Sequence, residues 1–261
     1  MFLKKIKWLW SVKTKVKLQT QGLIIKETPI GENDKLLVIL TREHGLVRAF
    51  ANGARKIKGK NSAATSLFCY ADFSLSKAKD TYKVGEVTPI ELFFDLRYNI
   101  EGFALAQYFC EIILKITPED FEPDNYLKLI LNSLHLLTKM SKPLEQIKAV
   151  TELRLASLAG YMPDLVNCTV CEEIRGKKIF LSLFDGLLYC EECAKDKVGL
   201  LPLNSTILAA MRHIIYSDFA KIFSFQIPDK DLKLLSSISE KYVATQCDTH
   251  FKTLDFYKEL M

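Results

Sequence analysis

The chain has 261 residues and a net charge of +5, and no apolar run approaches the ~20 residues that a membrane-spanning helix needs. This length suits two domains better than one small module. The seven cysteines, without a recognisable secretory signal, indicate a reducing compartment. We therefore expect a soluble, cytoplasmic protein that does not contact a membrane.

The charge is unevenly distributed along the chain. Residues 1–94 carry 17 Lys and Arg against 8 Asp and Glu, a balance of +9, whereas residues 95–261 carry 19 against 23, a balance of −4. A basic segment of this kind indicates a polyanionic partner such as nucleic acid. The alternative is a solvated lysine face, or simply the six lysines of residues 1–17.

Residues 1–17 begin like a signal peptide. However, only five residues separate Lys7 from Lys13, which is shorter than the apolar core of about 7–15 residues that such a peptide needs. We interpret this segment as a basic N-terminal extension or an over-long gene start.

Short strands are predicted throughout residues 18–95. Five runs show strand-like alternation or β-prone composition between turn residues: 19–26, 35–41, 46–51, 69–76 and 82–87. Five short antiparallel strands predict a closed β-barrel of the OB-fold type, which commonly binds single-stranded nucleic acid. An SH3-like barrel or a small sandwich is the alternative.

The connection after the third predicted strand is basic and contains Arg55, Lys56, Lys58 and Lys60. Such a loop can bind phosphates without reading base sequence, because phosphate contacts depend mainly on charge. Further cations that can extend this track are Lys35, Arg42, His44 and Arg48. Four aromatic residues are candidates for base stacking, although each is more often a core residue in so small a barrel: Phe50, Phe68, Tyr70 and Tyr82.

After residue 95 the apolar spacing becomes helical. Helices are predicted over residues 100–115, 126–140, 143–160, 205–217, 219–225 and 229–246. Pro143 suits the first helical position, Gly160 the position after a helix, and Asp229 an N-cap. The predicted fold class is therefore α+β, with an OB-fold barrel in residues 18–95 and an α-helical domain in residues 96–261.

Four cysteines form two C-x-x-C pairs, Cys168 with Cys171 and Cys190 with Cys193, separated by eighteen residues. Two such pairs can supply four thiolates to a tetrahedral Zn²⁺, and a closed shell of four cysteines favours a structural role. Asp185-Gly186 lies between two apolar runs and predicts a hairpin turn. We therefore predict a zinc-binding hairpin over residues 166–196. Two disulfides, or four unrelated thiols, are the alternatives.

No sequence motif indicates catalysis. The chain has neither a P-loop nor a G-x-G-x-x-G motif, and its four histidines are isolated. Adjacent acidic residues such as Glu119 and Asp120 point in different directions on a regular element and make poor two-metal sites. We expect a protein that is not an enzyme. A zinc-ribbon nuclease, or a structural adaptor that does not bind DNA, is the alternative from another class.

The order of several short motifs resembles that of the bacterial RecO family of recombination mediators. The resemblance covers about residues 18–260 and depends on residues 31–36, 41–45, 53–56, the two C-x-x-C pairs, 208–214, 221–225 and 252–256. It implies an ATP-independent bacterial protein, cytoplasmic and associated with the nucleoid. Such a protein binds single- and double-stranded DNA, anneals complementary strands, and with RecR loads RecA onto DNA coated with single-strand-binding protein.

The resemblance also implies where the partners bind. The family's DNA contacts lie on the barrel, which points to Lys35, Arg42, Arg48, Arg55, Lys56, Lys58 and Lys60. The helical domain of the family receives the acidic tail of single-strand-binding protein, for which Arg212, His213 and Lys221 are the candidate contacts.

Overall fold

The computed structural model describes residues 17–56, 62–79, 81–118, 121–174 and 178–261. The chain divides into two compact units between Leu92 and Phe93. The predicted basic extension lies outside the described residues except for Lys17. Among the described helices, none combines the length and the apolar character needed to cross a lipid bilayer.

The first unit is a closed barrel of five strands: β1 (Lys17–Ile30), β2 (Asp34–Thr41), β3 (Leu46–Ala51), β4 (Tyr70–Ala78) and β5 (Thr81–Glu91). The strands follow one another around the barrel in the order β1-β2-β3-β5-β4, and β4 pairs with β1 to close it. The β3–β5 pairing is parallel, and the other pairings are antiparallel. This arrangement confirms the predicted OB-type barrel.

Strands β1 and β5 are longer than predicted. The last residues of β1, from Lys26 to Ile30, are mostly exposed, as are the last residues of β5. Because strand prediction relied on runs of apolar residues, it missed strand segments that are held by backbone pairing beyond the core.

Alternation along β2 and β3 separates the interior of the barrel from its outer face. Leu37, Ile39, Val47, Ala49 and Ala51 belong to the buried core. Residues of opposite parity on these strands therefore lie on the outer face of the barrel. They include Leu36, Val38, Arg48 and Phe50. Of the candidate stacking residues, Phe68 and Tyr70 are buried and Tyr82 packs against the core.

In the second unit, a short 3-10 helix (Phe94–Tyr98) precedes the α-helices. The described α-helices are α1 (Ile100–Ile116), α2 (Pro123–Lys139), α3 (Leu144–Leu158), α4 (Ser205–Tyr216), α5 (Asp229–Gln246) and α6 (Lys252–Leu260). Five predicted helices are confirmed, and α6 was not predicted. Gly160 follows α3 with φ +94°, as expected for the residue after a helix.

Three helix predictions were wrong. The predicted helix over residues 219–225 is only a 3-10 turn, Phe219–Lys221. The Gln146 side-chain amide donates to the carbonyls of Phe223 (3.1 Å) and Phe225 (3.0 Å), so tertiary contacts hold this segment in a non-helical path. Pro143 and Pro228 occupy N-cap positions, which makes Asp229 the first helical residue instead of the cap.

A four-stranded sheet lies between α3 and α4 in the chain. It contains β6 (Asp164–Cys168), β7 (Ile179–Ser182), β8 (Leu187–Cys190) and β9 (Leu200–Leu203), in the order β6-β8-β7-β9. The predicted β7–β8 hairpin is confirmed. Gly186 has φ +72°, and the Leu187 N–H donates to Asp185 Oδ1 at 3.1 Å, so these two residues form the turn as expected. Strands β6 and β9 were not predicted.

A buried ionic cluster joins α1, α3, α5 and α6. Lys148 Nζ is 3.0 Å from carboxylate oxygens of both Glu152 and Glu240, and the side chains of Lys148 and Glu152 are 3% and 0% exposed. Tyr108 and Ser239 also donate hydrogen bonds to Glu152, and Lys258 pairs with Glu240. Burial opposes ionisation of Glu240, but Lys148 and Lys258 lower its pKa below the usual value.

Replacement of Lys148 tests the contribution of this cluster. Lys148→Met leaves Glu152 and Glu240 without their shared cation in a buried site, so we expect a loss of about 3–5 kcal/mol in the free energy of unfolding. Lys128→Met is the matched control, because Lys128 forms an exposed pair with Asp124 on α2, and its loss should not exceed ~0.5 kcal/mol. Urea denaturation measures both variants, and equal losses would contradict the prediction.

Candidate nucleic-acid interface and metal centre

The four predicted zinc ligands come together in the sheet of the second unit. Cys168 ends β6, Cys190 ends β8, and Cys171 and Cys193 follow in the adjoining turns. All four sulfurs lie within 4.8 Å of one another, and those of Cys171 and Cys190 are 3.8 Å apart. Metal–sulfur bonds of ~2.3 Å in a tetrahedral shell separate the sulfurs by about 3.8 Å. The cluster can therefore hold a metal ion.

The two C-x-x-C pairs have matching local geometry. The Glu172 N–H donates to the Cys168 carbonyl at 2.9 Å, and the Ala194 N–H donates to the Cys190 carbonyl at 3.0 Å. Each pair thus folds back at the end of a strand, which brings its second cysteine beside the first. Because β6 and β8 are paired in parallel, the turns that follow them lie at the same end of the sheet.

The thiols of the cluster differ in acidity. Burial opposes ionisation of Cys168, but N–H groups of Cys171 and Cys190 that point at its sulfur lower its pKa to about 6. The Cys193 thiol donates a hydrogen bond to Cys190, and its pKa is raised to about 12. Four neighbouring thiolates would repel one another, and a bound cation removes this repulsion.

Among the predicted cations of the barrel, Lys35 is largely buried and its charge is paired. Its ammonium group is 2.9 Å from Glu27 Oε2 and 3.5 Å from the Thr65 carbonyl, and its side chain is only 15% exposed. Glu27 Oε2 also accepts the Leu67 N–H at 3.1 Å. Lys35 therefore fastens β1, β2 and the segment before β4, and its charge is already paired.

The exposed cations on β3 and in the turn after it differ from Lys35. Arg48 lies on the outer face of β3, and Arg55 and Lys56 lie in the turn that follows β3. Arg55 Nη1 donates to the Gly31 carbonyl at 2.5 Å, and the Arg55 N–H donates to the Asn33 carbonyl at 3.0 Å. The motifs at residues 31–36 and 53–56, separate in sequence, thus form one structural site.

Two further parts of the predicted track lie elsewhere. Arg42 and His44 are exposed in the β2–β3 turn, where the Arg42 N–H donates to the Gln21 carbonyl at 2.9 Å. Lys58 and Lys60 lie outside the described residues. The sequence reasoning did not single out Lys83, an exposed residue of β5 whose Cα partner is Phe50 on β3. Its position depends on the β3–β5 pairing, for which the sequence carries no local signal.

The three residues predicted to bind the acidic tail of single-strand-binding protein lie in different environments. The Arg212 guanidinium donates to the carbonyls of Leu165 (2.7 Å) and Val166 (2.8 Å), which fastens α4 to β6. His213 Nε2 is 2.8 Å from the Lys221 carbonyl. The Lys221 side chain is 68% exposed and lies 3.7 Å from Asp218. Arg212 and His213 therefore support the local structure, and Lys221 presents its charge to solvent.

An OB-type barrel with exposed cations, followed by a helical unit that carries a four-cysteine site, is the architecture of a nucleic-acid-binding protein. Comparison with known proteins then supplies the family. Residues 16–93 match the model for the N-terminal part of Recombination protein O, and residues 97–255 match the model for its C-terminal part. The chain belongs to the Recombination protein O family, a family of DNA repair proteins, and the resemblance found in its motifs is confirmed.

Curated relatives span nearly the same length. DNA repair protein RecO of Acetivibrio thermocellus is 33% identical over 247 residues, covering 93% of this chain and 97% of the relative. The protein of the same name in Alkaliphilus metalliredigens is 27% identical over 244 residues, covering 93% and 99%. That of Dehalococcoides mccartyi is 29% identical over 210 residues, covering 80% and 82%.

The thiolate cluster predicts metal content that depends on its cysteines. We expect about one metal ion per chain in the wild-type protein, and Cys190→Ser should lose it and unfold at lower temperature, because the metal no longer links the two C-x-x-C pairs. Cys247→Ser is the matched control, since Cys247 lies outside the cluster. Elemental analysis and thermal unfolding measure both effects, and a metal-free wild type of unchanged stability would contradict the prediction.

Proposed function

We propose that the protein is a non-enzymatic recombination mediator in DNA repair. It binds single- and double-stranded DNA without base-sequence preference, anneals complementary strands, and with RecR helps to load RecA onto DNA coated with single-strand-binding protein. The observation that carries the proposal is the set of exposed cations on β3 and in the turns at either end of it, in an OB-type barrel of a chain that belongs to a DNA repair family.

DNA contact is assigned to the exposed cations of the first unit. Arg48, Arg55 and Lys56 lie on β3 and in the turn after it, and Lys58 and Lys60 follow in the sequence. Arg42 extends the contact at the β2–β3 turn. Lys35 supports this surface from within, because its charge is paired with Glu27. Cations on short turns can follow a phosphate backbone closely, which favours binding that is independent of base sequence.

Annealing follows from the same electrostatics. Two DNA strands repel each other through their phosphates, and a protein that neutralises part of this charge reduces the cost of bringing them together. Neither base recognition nor hydrolysis of a nucleotide is needed for this step. The activity therefore requires binding and charge screening alone.

The helical unit is proposed to receive the acidic tail of single-strand-binding protein. Lys221 offers an exposed ammonium group for a carboxylate of the tail. Arg212 and His213 would act indirectly, because their side chains hold α4, β6 and the turn at Lys221 in place. RecR and RecA are partners implied by the family resemblance. The proposed location is the bacterial cytoplasm, in association with the nucleoid.

The metal of the cysteine cluster is proposed to be a single structural Zn²⁺ per chain. Four thiolate ligands in tetrahedral arrangement are typical of structural zinc sites, and a closed shell has no free position for a reacting water. When bound, the ion neutralises thiolate charge and links the ends of β6 and β8. A nuclease would need hard oxygen ligands for Mg²⁺, whereas the cluster formed by described residues consists of sulfur.

The salt dependence of DNA binding tests the cationic surface. Replacing Arg55, Lys56, Lys58 and Lys60 with alanine should lower the affinity for single-stranded DNA and reduce the slope of log K against log salt by about 3, because each lost phosphate contact removes ~0.7. The matched control replaces four exposed lysines of the helical unit, namely Lys139, Lys230, Lys233 and Lys241. An unchanged slope in the first variant would refute the assignment and favour an adaptor that does not bind DNA.

A strand-annealing assay tests both the proposed annealing activity and the proposed contact with single-strand-binding protein. We expect the wild-type protein to anneal complementary strands coated with intact single-strand-binding protein, and to anneal them more slowly when that protein lacks its acidic tail. Lys221→Ala should reduce the rate only with the intact protein, because the lost charge contacts the tail. Fluorescence of labelled strands measures the rate, with bare strands as the control. Equal annealing rates on strands coated with the intact protein and on strands coated with the tail-less protein would contradict the partner assignment.

A further inference from the structure

The outer face of strands β2, β3 and β5 combines exposed cations with a half-buried aromatic ring. Arg48 and Phe50 are two residues apart on β3 and therefore point to the same side of the sheet. Lys83 is the Cα partner of Phe50 across the parallel β3–β5 pair, so it shares that side. Leu36 and Val38 on β2 pair with Phe50 and Arg48 respectively.

Phe50 is not a core residue of the barrel. Its chain neighbours Ala49 and Ala51 both belong to the buried core, so the pleat directs Phe50 to the opposite face. Tyr82, the residue before Lys83, packs against the core as well, and it is the Cα partner of Ala49. On this outer face Phe50 is half-buried, whereas Ala49 and Ala51 are buried.

The charge of this face is available to a ligand. Among the described residues, neither Arg48 nor Lys83 forms an ion pair, and both side chains are exposed. Asp34 also has the outward parity, but it is the first residue of β2, where its Oδ1 accepts the Gly53 N–H at 2.7 Å, and it retains its negative charge there. The face thus presents two positive charges beside one aromatic ring and two half-buried aliphatic residues, Leu36 and Val38.

This combination matches the chemistry of a single strand of nucleic acid. Phosphates are anions that exposed Arg and Lys side chains attract, and unpaired bases stack on aromatic rings. In a duplex the faces of the bases are already stacked on each other, so the ring would contribute little there. An acidic peptide would use the two cations but would have no corresponding use for the ring.

We propose that Phe50 is a stacking platform for an unpaired DNA base, with Arg48 and Lys83 binding the phosphates beside it. The proposal rests on the proposed DNA-binding function and extends it. The cationic turn at Arg55 and Lys56 then supplies affinity for any DNA, and the outer face of β3 supplies the preference for single strands. Stacking on one ring is worth about 5- to 150-fold in affinity.

Affinities for three DNA probes test the platform. The probes are a thymidine oligonucleotide, an abasic strand with the same number of phosphates, and a duplex. We expect Phe50→Leu to weaken binding of the thymidine strand by about 5-fold or more, with an unchanged salt slope and little effect on the other two probes. Phe50→Tyr keeps the ring and should bind as the wild type does. Phe184→Leu is the matched control, because Phe184 is 86% exposed in the β7–β8 turn.

Replacing the two cations should change the salt dependence of DNA binding instead of the discrimination between base-containing and abasic strands. Arg48→Ala and Lys83→Ala should each reduce the salt slope by ~0.7 for the thymidine and abasic strands alike, because they lose a phosphate contact and no base contact. The wild-type protein adds a measurement that needs no variant: it should bind the thymidine strand about 5-fold or more tightly than the abasic strand.

Several results would overturn the platform. These are equal wild-type affinity for the thymidine and abasic strands, unchanged affinity in Phe50→Leu, and equal losses on all three probes. The failure of the proposed function would look different, because the wild-type protein would then bind none of the probes. If the salt slope responds to the turn at Arg55 and Lys56 while Phe50→Leu has no effect, DNA binding stands and the platform alone fails.

Discussion

The parallel pairing of β3 with β5 closes the barrel and determines which side chains of the first unit lie inside it. In a closed barrel each strand has one inner and one outer face, and side chains alternate between them. Ala49 and Tyr82 are thereby placed inside, while Phe50 and Lys83 are placed outside. A shift of one residue in this register would bury Lys83 and expose apolar residues, so the packing of the core also determines the composition of the outer face.

Cationic residues have two roles in this protein, and the buried cations differ in role from the exposed ones. Lys35 and Lys148 are largely buried, and each is neutralised by a carboxylate, because an unpaired buried charge is costly. Arg212 is held by two backbone carbonyls. Arg48 and Lys83 are exposed and form no ion pair among the described residues, so their charge is available to phosphates.

The second unit combines apolar helix packing with two polar clusters. The cluster around Lys148 links α1, α3 and α5 through polar groups that pair with one another in the core, and the half-exposed Lys258 extends it to α6. The four cysteines form the other cluster, at one end of a sheet of four short strands. A metal ion bound by these cysteines would link the ends of β6 and β8 and so contribute to the stability of the sheet.

Features that depend on neighbours along the chain could be predicted from the amino-acid sequence. The strands and helices with clear apolar periodicity, the hairpin at Asp185-Gly186, and the four cysteines were all predicted from local pattern, because the period of the apolar residues and the spacing of the ligands are properties of short segments. The family resemblance was available for the same reason, since its motifs are short and their order was sufficient.

Features that depend on residues far apart in the chain could be recognised only in the three-dimensional structure. β6 and β9 are four or five residues long and α6 nine, and their positions depend on the elements they pack against. Gln146 prevents a helix at residues 223–225 from a position 77 residues earlier. The outward direction of Phe50 and Lys83 likewise required barrel closure, because the pairing of β3 with β5 joins segments more than thirty residues apart, and no local pattern specifies it.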